Sequence, residues 1–343
     1  MPRIATYNVE WFNALFDDDG NLLDDDRWSA RQDVTRVQQL EALGIVFSAL
    51  DADAVMVIEA PDQNSHRFTT PALETFARTF DIRASKAIIG FWNDTQQEIA
   101  LMYDPAALSV RHDPRGDETG KKGSPSAPRF DGVFRIDLDI DATEDLVRFS
   151  KPPLELACTA LASGFEFRMI GAHLKSKAPH GARSRAEVMK LAIQNRRKQL
   201  AQAIWLRQRV AEHLDEGTSL MVMGDMNDGP GLDEYEGLFG RSSVEIVMGE
   251  GDGPPLIDPH ARQALSRRIG AQPTSARFFL PDQRRYLQAL LDYIMISGDL
   301  AAKRPEWRIW HPFDDPDCWK LPELRDALIT ASDHFPVTID IGL

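Results

Sequence analysis

Apolar residues along this chain occur in short runs, and most of the runs end at a polar or acidic side chain. Val55–Ile58 and Ser219–Met223 are almost uninterrupted apolar runs, which is typical of strands buried on both faces. Phe335–Ile341 alternates apolar with polar residues and predicts a strand with one face in the core. The same reasoning predicts further strands at Ile4–Tyr7, Ile99–Tyr103, Phe165–His173 and Tyr293–Ile296.

Two longer segments, Arg31–Ala49 and Arg183–Leu214, carry apolar residues at helical spacing and predict amphipathic helices. Gly120–Pro128 and Gly249–Pro255 are rich in Gly and Pro and predict surface loops. The first loop is also basic, so it either flanks an anionic substrate or is simply solvated. Many strands with few helices between them predict two packed sheets with helices outside. Since no linker or repeat divides the chain, we expect a single domain, residues 1–343.

The composition is that of a globular protein, with 343 residues, 43% of them hydrophobic and 27% charged. No stretch approaches the length of an apolar membrane span, and the N-terminus resembles a strand rather than a secretory signal. Cys158 and Cys318 are too few for a disulfide framework. We therefore expect a cytoplasmic protein without a membrane span.

The formal net charge of -14 argues against tight binding to long nucleic acid. Carboxylates gathered around a metal ion would account for part of this charge, because the bound ion offsets them. The charge therefore favours a small substrate without excluding a nucleic acid.

Polar side chains that suit phosphate chemistry lie at the ends of the predicted strands. A carboxylate next to an apolar run is costly to bury unless it is solvated or paired, so several of them can converge on one rim of a sheet. Carboxylate and amide oxygens, with histidines nearby and no cysteine, are typical of a site for a hard cation such as Mg²⁺. The residues concerned are Asn8, Glu10, Glu59, His173, Asp225, Asn227, Asp292, Asp333 and His334.

Each of these residues also has an ordinary structural explanation. Asp225 and Asn227 share one side of an extended backbone, but Asp-x-Asn after a strand is also a common turn. A single Glu59 is usually an ion-pair partner, and a single His173 is usually a hydrogen-bonded interior histidine. Glu10 either adds a metal or water contact or pairs at the surface. Their joint occurrence indicates a phosphoryl-transfer site rather than a structural metal site.

The motifs in this order resemble the endonuclease/exonuclease/phosphatase superfamily of DNase I-like metal-dependent phosphoesterases, over nearly the whole chain. Gly224–Asp228 is similar to the family's G-D-F-N, Leu291–Ile294 to I-D-Y-I, and Ser332–Val337 to S-D-H-x-P-V. Weaker matches are Tyr7–Glu10, Ile58–Glu59, Glu98–Tyr103, Lys151–Leu154 and Ala172–Lys177. In these weaker matches, Ile58 and Lys151 stand where the family usually has Gln and Arg, and both departures bear on substrate contacts.

The resemblance implies an α/β fold, a four-layer α/β/β/α sandwich of two mainly antiparallel sheets flanked by helices. It implies that Mg²⁺ or Mn²⁺ is bound by Glu59 with help from Asn8 and Asp333. Asp225 and Asn227 are expected both in this metal site and in catalysis.

The resemblance further implies two carboxylate–histidine pairs, Glu98 with His173 and Asp292 with His334. In the expected mechanism, Asp225 positions or deprotonates the attacking water. His334 hydrogen-bonds a nonbridging phosphate oxygen, and His173 protonates the leaving oxygen. Substrate contacts are expected from Lys151, Lys175 and Lys177.

Three functions follow from these expectations. The first is a metal-dependent phosphodiester hydrolase acting on nucleic acid, favoured by the intact histidines and by nearby lysines. The second is a phosphatase or phosphodiesterase for small or lipid phosphates, favoured by the acidic charge. The third is a catalytically inactive binding scaffold, which would require the loss of a metal or histidine position. The sequence leaves open DNA against RNA, endo- against exo-cleavage, one metal ion against two, and the oligomeric state.

Overall fold

The computed structural model describes most of the chain, namely residues 1–93, 95, 97–138, 144–179, 181, 184–229, 240–251, 253–266, 270–280 and 284–343. The strands are β1 Arg3–Asn8, β2 Ala54–Pro61, β3 Lys86–Ile89, β4 Gln97–Tyr103, β5 Leu108–His112, β6 Phe134–Ile136, β7 Asp145–Val147, β8 Leu154–Ala160, β9 Phe165–His173, β10 Leu220–Asp225, β11 Ala276–Leu280, β12 Arg285–Ala289, β13 Asp292–Ile296, β14 Glu306–Ile309 and β15 Val337–Asp340. The helices are α1 Arg36–Leu50, α2 Thr69–Thr79, α3 Arg185–Asp215, α4 Ser243–Met248, α5 Pro259–Leu265, α6 Gly298–Ala301, α7 Pro316–Lys320 and α8 Pro322–Ala331, with a 3-10 turn at Phe12–Leu15.

Two large sheets form the centre of the molecule. The six-stranded sheet has the order β14-β15-β1-β2-β4-β3, and the five-stranded sheet has the order β13-β10-β9-β8-β5. Neighbouring strands are antiparallel except for the parallel pairs β1–β2 and β9–β10. A shared apolar layer joins the sheets face to face, with Met56 and Leu101 from one sheet and Met169 and Met221 from the other.

Helices cover the outer face of each sheet. The six-stranded sheet packs against α1, α2 and α8, and the five-stranded sheet packs against α3, α4 and α5. The predicted four-layer α/β/β/α sandwich is thereby confirmed. The smaller hairpins β6–β7 and β11–β12 are separate two-stranded sheets.

Strand register brings the polar strand ends to one end of the sandwich. Asp225, at the end of β10, lies beside His173 of β9 on one side and beside Asp292 of β13 on the other. In the facing sheet, Asn8 at the end of β1 pairs with Ile58, so that Glu59 follows at the same level. The site is therefore a consequence of where these strands stop.

The predicted first helix begins at Arg36 rather than at Arg31. Thr35 caps it, because its side chain accepts from the Gln38 amide while the Gln38 side chain accepts from the Thr35 amide. Arg31 instead donates to the Glu10 carboxylate and to the Ile329 carbonyl, the latter at 3.1 Å. The elements that the apolar pattern did not predict include β3, β5, β8, the hairpin β11–β12, and helices α2, α7 and α8.

Within the described part of the chain, no helix combines the length and the apolar character needed to cross a membrane. Cys158 and Cys318 are both buried and both free thiols.

Close contact between the sheets depends on Gly171 in β9. A Cβ atom there would collide with the Met56 sulfur and lie 3.0 Å from a methyl group of Ile99 in the facing sheet. We expect Gly171→Ala to lower the free energy of unfolding by ~1 to 3 kcal/mol, because the surrounding side chains are buried and cannot move away freely. Urea denaturation measures this change. Gly298→Ala is the control, since a Cβ at Gly298 meets nothing within 4 Å, and an equal loss in both variants would contradict the explanation.

Candidate active site

The carboxylate of Asp225 is the centre of the site and is almost fully buried, at 1% exposure. Its Oδ2 accepts hydrogen bonds from the side-chain amides of Asn8 at 3.1 Å and Asn227 at 3.2 Å. The same oxygen lies 3.6 Å from His173 Nε2 and 4.0 Å from His334 Nε2. Burial raises the pKa of Asp225, although His334 opposes the shift. The structure thus brings four other predicted residues around one oxygen of Asp225.

Asn227 holds the Asp225 carboxylate through a tight turn. Its backbone is left-handed, at φ 48°, which asparagine tolerates better than most residues. Its backbone amide donates to Asp225 Oδ1 at 2.7 Å, and its side-chain amide also donates to the Leu174 carbonyl at 3.1 Å. Asn227 therefore forms an ordinary turn, and the same turn places its amides against the Asp225 carboxylate.

Glu59 lies where β2 is interrupted. A β-bulge separates Ile58 from Ala60, and Glu59 has a left-handed backbone at φ 63°. Such a conformation is strained for a residue that is not glycine, and it turns the side chain out of the ladder. Glu59 Oε1 lies 4.0 Å from His173 Nε2, and Glu59 Oε2 accepts from the Gln97 side chain. Burial raises the pKa of Glu59, while Lys151 opposes the shift.

His334 forms the predicted pair with Asp292. Its Nδ1 lies 2.7 Å from Asp292 Oδ2, so that Nε2 faces the centre of the site. Burial alone would lower the pKa of His334, but Asp292 and then Asp225 and Asp333 raise it well above its usual value. Asp333 lies at the rim, with its Oδ1 3.9 Å from His334 Nε2 and its side chain 25% exposed.

Ser275 supports the pair of Asp292 and His334, and the sequence did not predict this role. Its fully buried hydroxyl donates to Asp292 Oδ2 at 2.7 Å and accepts from the backbone amides of Leu291 and Asp292, at 3.0 and 2.9 Å. It therefore fixes the carboxylate that fixes His334. Ser275 precedes β11 in a segment without apolar alternation, so the chain offered no signal for it.

The predicted pair of Glu98 and His173 is not formed. Glu98 is held instead by Asn93, whose side chain donates to it at 2.8 Å, and burial raises the pKa of Glu98 to about 8. His173 Nδ1 lies 3.1 Å from Lys151 Nζ. The reason is the turn that follows β3, where Asn93 occupies the carboxylate, while Lys151 reaches the imidazole from the segment before β8.

Lys151 assigns the tautomer of His173. Burial lowers the pKa of Lys151. In its ammonium form Lys151 has no lone pair, so Nδ1 accepts the hydrogen bond and Nε2 carries the proton. Burial, together with Lys151 and His334, lowers the pKa of His173 well below its usual value. His173 is thus a neutral donor whose N–H faces Asp225. Lys151 also donates to Gln97, which links it to Glu59.

The three predicted substrate lysines have different surroundings. Lys151 is inside the site, as described above. Lys177 is paired at 2.7 Å with Asp228, a fully buried carboxylate that also binds Arg196 at 2.8 Å. Lys175 lies two residues beyond His173, and no carboxylate of the described residues is recorded within 4.0 Å of its ammonium group.

Glu10 forms an ion pair, which was one of the two alternatives expected from the sequence. Arg31 donates to its carboxylate, and its backbone amide donates to the Ser332 hydroxyl at 3.3 Å. Burial and the nearby Asp333 nevertheless raise the pKa of Glu10 to about 7. A cluster of carboxylates thus surrounds the site on this side.

The donor set fits a hard divalent cation. Asn8 Oδ1 and Asp292 Oδ1 are buried and have no hydrogen-bond partner among the described residues. Ligand atoms of Asp225, Asp292 and His334 lie within 4.8 Å of one another. Because several desolvated carboxylates here have raised pKa values, a cation would relieve their mutual repulsion. Asp292 holds His334 through Oδ2, and Glu59 adds a further carboxylate beside His173.

A four-layer sandwich with acids, amides and histidines at one end of its sheets defines a DNase I-like phosphoesterase. The chain matches the model of the endonuclease/exonuclease/phosphatase family over residues 5–334, and it belongs to this family. Its members are hydrolases of phosphate esters. No curated protein sequence gives a significant match.

Solved structures share the fold at low sequence identity. A truncated TDP2 from Caenorhabditis elegans superposes with a TM-score of 0.52 at 13% identity, covering 98% of this chain and 96% of that one. A family protein from Bacteroides thetaiotaomicron gives 0.50 at 15% identity, with coverages of 98% and 96%. At these identities the likeness shows the fold alone.

We expect Ser275→Ala to lower kcat about tenfold with little change in KM, because Asp292 and therefore His334 lose their support. Steady-state kinetics on a phosphodiester measures this, and thermal unfolding shows whether the fold is retained. Ser109→Ala, on the exposed side of β5, is the control. A rise in KM at unchanged kcat would contradict the positioning role.

Proposed function

We propose that this phosphoesterase is a divalent-metal-dependent phosphodiester hydrolase and that its substrate is a nucleic acid. The observation that supports this proposal is the buried Asp225 carboxylate, flanked by two amides and faced by the Nε2 atoms of two histidines. Such a site can hold a phosphate between donors on two sides and activate a water molecule against it.

The metal site proposed here is formed by Asn8, Glu59 and Asp225, with Asp333 and Asn227 at its border. A bound Mg²⁺ or Mn²⁺ would polarise a phosphate oxygen and offset developing negative charge. Asp225, held by Asn227, positions the attacking water and accepts its proton.

The two histidines have different partners and therefore different roles. Asp292 stabilises a positive charge on His334, so His334 gives its Nε2 proton to the leaving oxygen as the phosphorus–oxygen bond breaks. Lys151 disfavours a positive charge on His173, so His173 stays neutral and donates a hydrogen bond to a nonbridging oxygen. These roles are exchanged relative to those expected from the resemblance.

The competing proposal is a phosphatase or phosphodiesterase for small or lipid phosphates. The net charge of -14 favours it, because a polyanion is repelled by an acidic surface.

A substrate and metal panel tests the proposed function. We expect bis-p-nitrophenyl phosphate and plasmid DNA to be cleaved with Mg²⁺ or Mn²⁺, and EDTA to abolish both activities because the carboxylate cluster requires a cation. Cleavage of p-nitrophenyl phosphate with intact plasmid would favour the small-substrate proposal. Turnover that persists after exhaustive chelation would contradict the proposed metal site.

The histidine roles predict a dependence on the leaving group. We expect His334→Ala to lower kcat on DNA by about 10²- to 10⁴-fold and to lower it less on bis-p-nitrophenyl phosphate, because p-nitrophenolate leaves without protonation. His173→Ala should have similar effects on both substrates, since a nonbridging oxygen is present in each. Initial rates under saturating substrate measure this, with His260→Gln in α5 as the control. The reverse pattern would restore the roles expected from the sequence.

A further inference from the structure

A cluster of basic side chains lies beside the site, on the α3 side of the five-stranded sheet. Lys198 of α3 and Arg148, which follows β7, line a groove of about 460 Å³ together with Arg197, Asp145 and Leu146. Lys175 is linked to α3 by its backbone amide, which donates to the side-chain oxygen of Gln202, one helical turn after Lys198. The cluster is therefore continuous with the end of β9, which carries His173.

A buried glutamine holds the cluster together. Gln202 is 1% exposed, and its side-chain oxygen accepts from the Lys175 backbone amide at 2.8 Å. Its amide nitrogen lies 3.3 Å from the Arg148 carbonyl and donates to it. Gln202 follows Lys198 by one helical turn, so both side chains lie on the same side of α3. One interior side chain thus joins the backbones of Lys175 and Arg148, and Lys198 lies one helical turn before it on α3.

The three cations of this cluster differ from its neighbour Arg197 in their ion pairs. Within the described part of the chain, no ion pair is recorded for Lys175, Lys198 or Arg148, whereas Arg197 pairs with Asp145 at 3.2 Å. Burial lowers the pKa of Lys198 and of Lys175, and Lys198 adds to the shift at Lys175. Gathering unpaired cations costs free energy, and a bound anion would recover it.

The size and polarity of the groove limit the anion it fits. A volume of 460 Å³ lies in the range of small-molecule sites and exceeds what one isolated phosphate needs. Leu146, which is 55% exposed, gives the groove an apolar wall. Cations beside an apolar surface suit a phosphate that carries an organic group, and in the proposed nucleic-acid substrate that group is a nucleoside.

We propose that this groove, formed by Lys198, Arg148 and Leu146 and joined to the site through Lys175, binds a nucleotide unit of the substrate other than the one at the scissile phosphate. The proposal rests on the proposed function of the site and extends it. It identifies the preferred substrate as a strand with several phosphates rather than a single phosphate ester, and it gives an acidic enzyme a local basic track for that strand.

The test compares Lys198→Gln/Arg148→Gln with the wild-type protein on two substrates. We expect the ratio of kcat/KM on a single-stranded oligonucleotide to kcat/KM on bis-p-nitrophenyl phosphate to fall by about tenfold or more, since only the oligonucleotide reaches the groove. The slope of log(kcat/KM) against log[salt] for the oligonucleotide should decrease by about 1 to 2. Lys320→Gln, an exposed lysine of α7 on the opposite helix layer, is the matched control.

Binding of a fluorescein-labelled oligonucleotide in EDTA, measured by anisotropy, separates this proposal from the proposed function. A weaker affinity in the double variant than in Lys320→Gln supports the groove even if no substrate is turned over. Equal affinities and equal activity ratios in the two variants would overturn the groove proposal while leaving metal-dependent hydrolysis intact. Circular dichroism and thermal unfolding confirm that each variant is folded.

Discussion

The buried carboxylate of Asp225 is the constraint on which the rest of the site depends. A carboxylate at 1% exposure must be compensated by hydrogen bonds or by charge. Here two side-chain amides, one backbone amide and the edges of two imidazoles supply that compensation. These groups come from different strands, and they meet only because the two sheets pack closely and their strands end at the same level. Close packing of the two sheets is therefore required both for the fold and for the arrangement of the site.

The two histidines show how a partner decides the chemistry of a side chain. Both present Nε2 toward Asp225, and both are buried. Asp292 raises the pKa of His334, whereas burial, together with Lys151, lowers the pKa of His173. Two residues of the same type can therefore serve different steps without any difference in their own orientation. Other residues hold these partners in turn. Ser275 donates to Asp292, and Gln97 joins Lys151 to Glu59.

The sequence was sufficient to predict the layers, the main strands and the residues at their ends. Apolar runs that stop at Asn8, Glu59, His173 or Asp225 predict both a buried strand and the polar residue that follows it. The partner of His173 could not be predicted in this way. Whether Glu98 or Lys151 reaches the imidazole depends on the turn that places Asn93, and no local pattern records a contact between distant segments. Ser275 was missed for the same reason, and the single domain, 1–343, stays a prediction.

Net charge is a weak guide to the substrate of this protein, because its charges are unevenly arranged. Part of the excess negative charge is concentrated at the site, where a cation would offset it. Other carboxylates are neutralised in ion pairs, such as Asp228 with Arg196. Among the described residues no ion pair is recorded for Lys175, Lys198 or Arg148 beside the site, and charges within a Debye length, roughly 10 Å, act most strongly on an approaching phosphate. An approaching phosphate chain responds to this local field, so an acidic protein can still favour a polyanionic substrate at one edge.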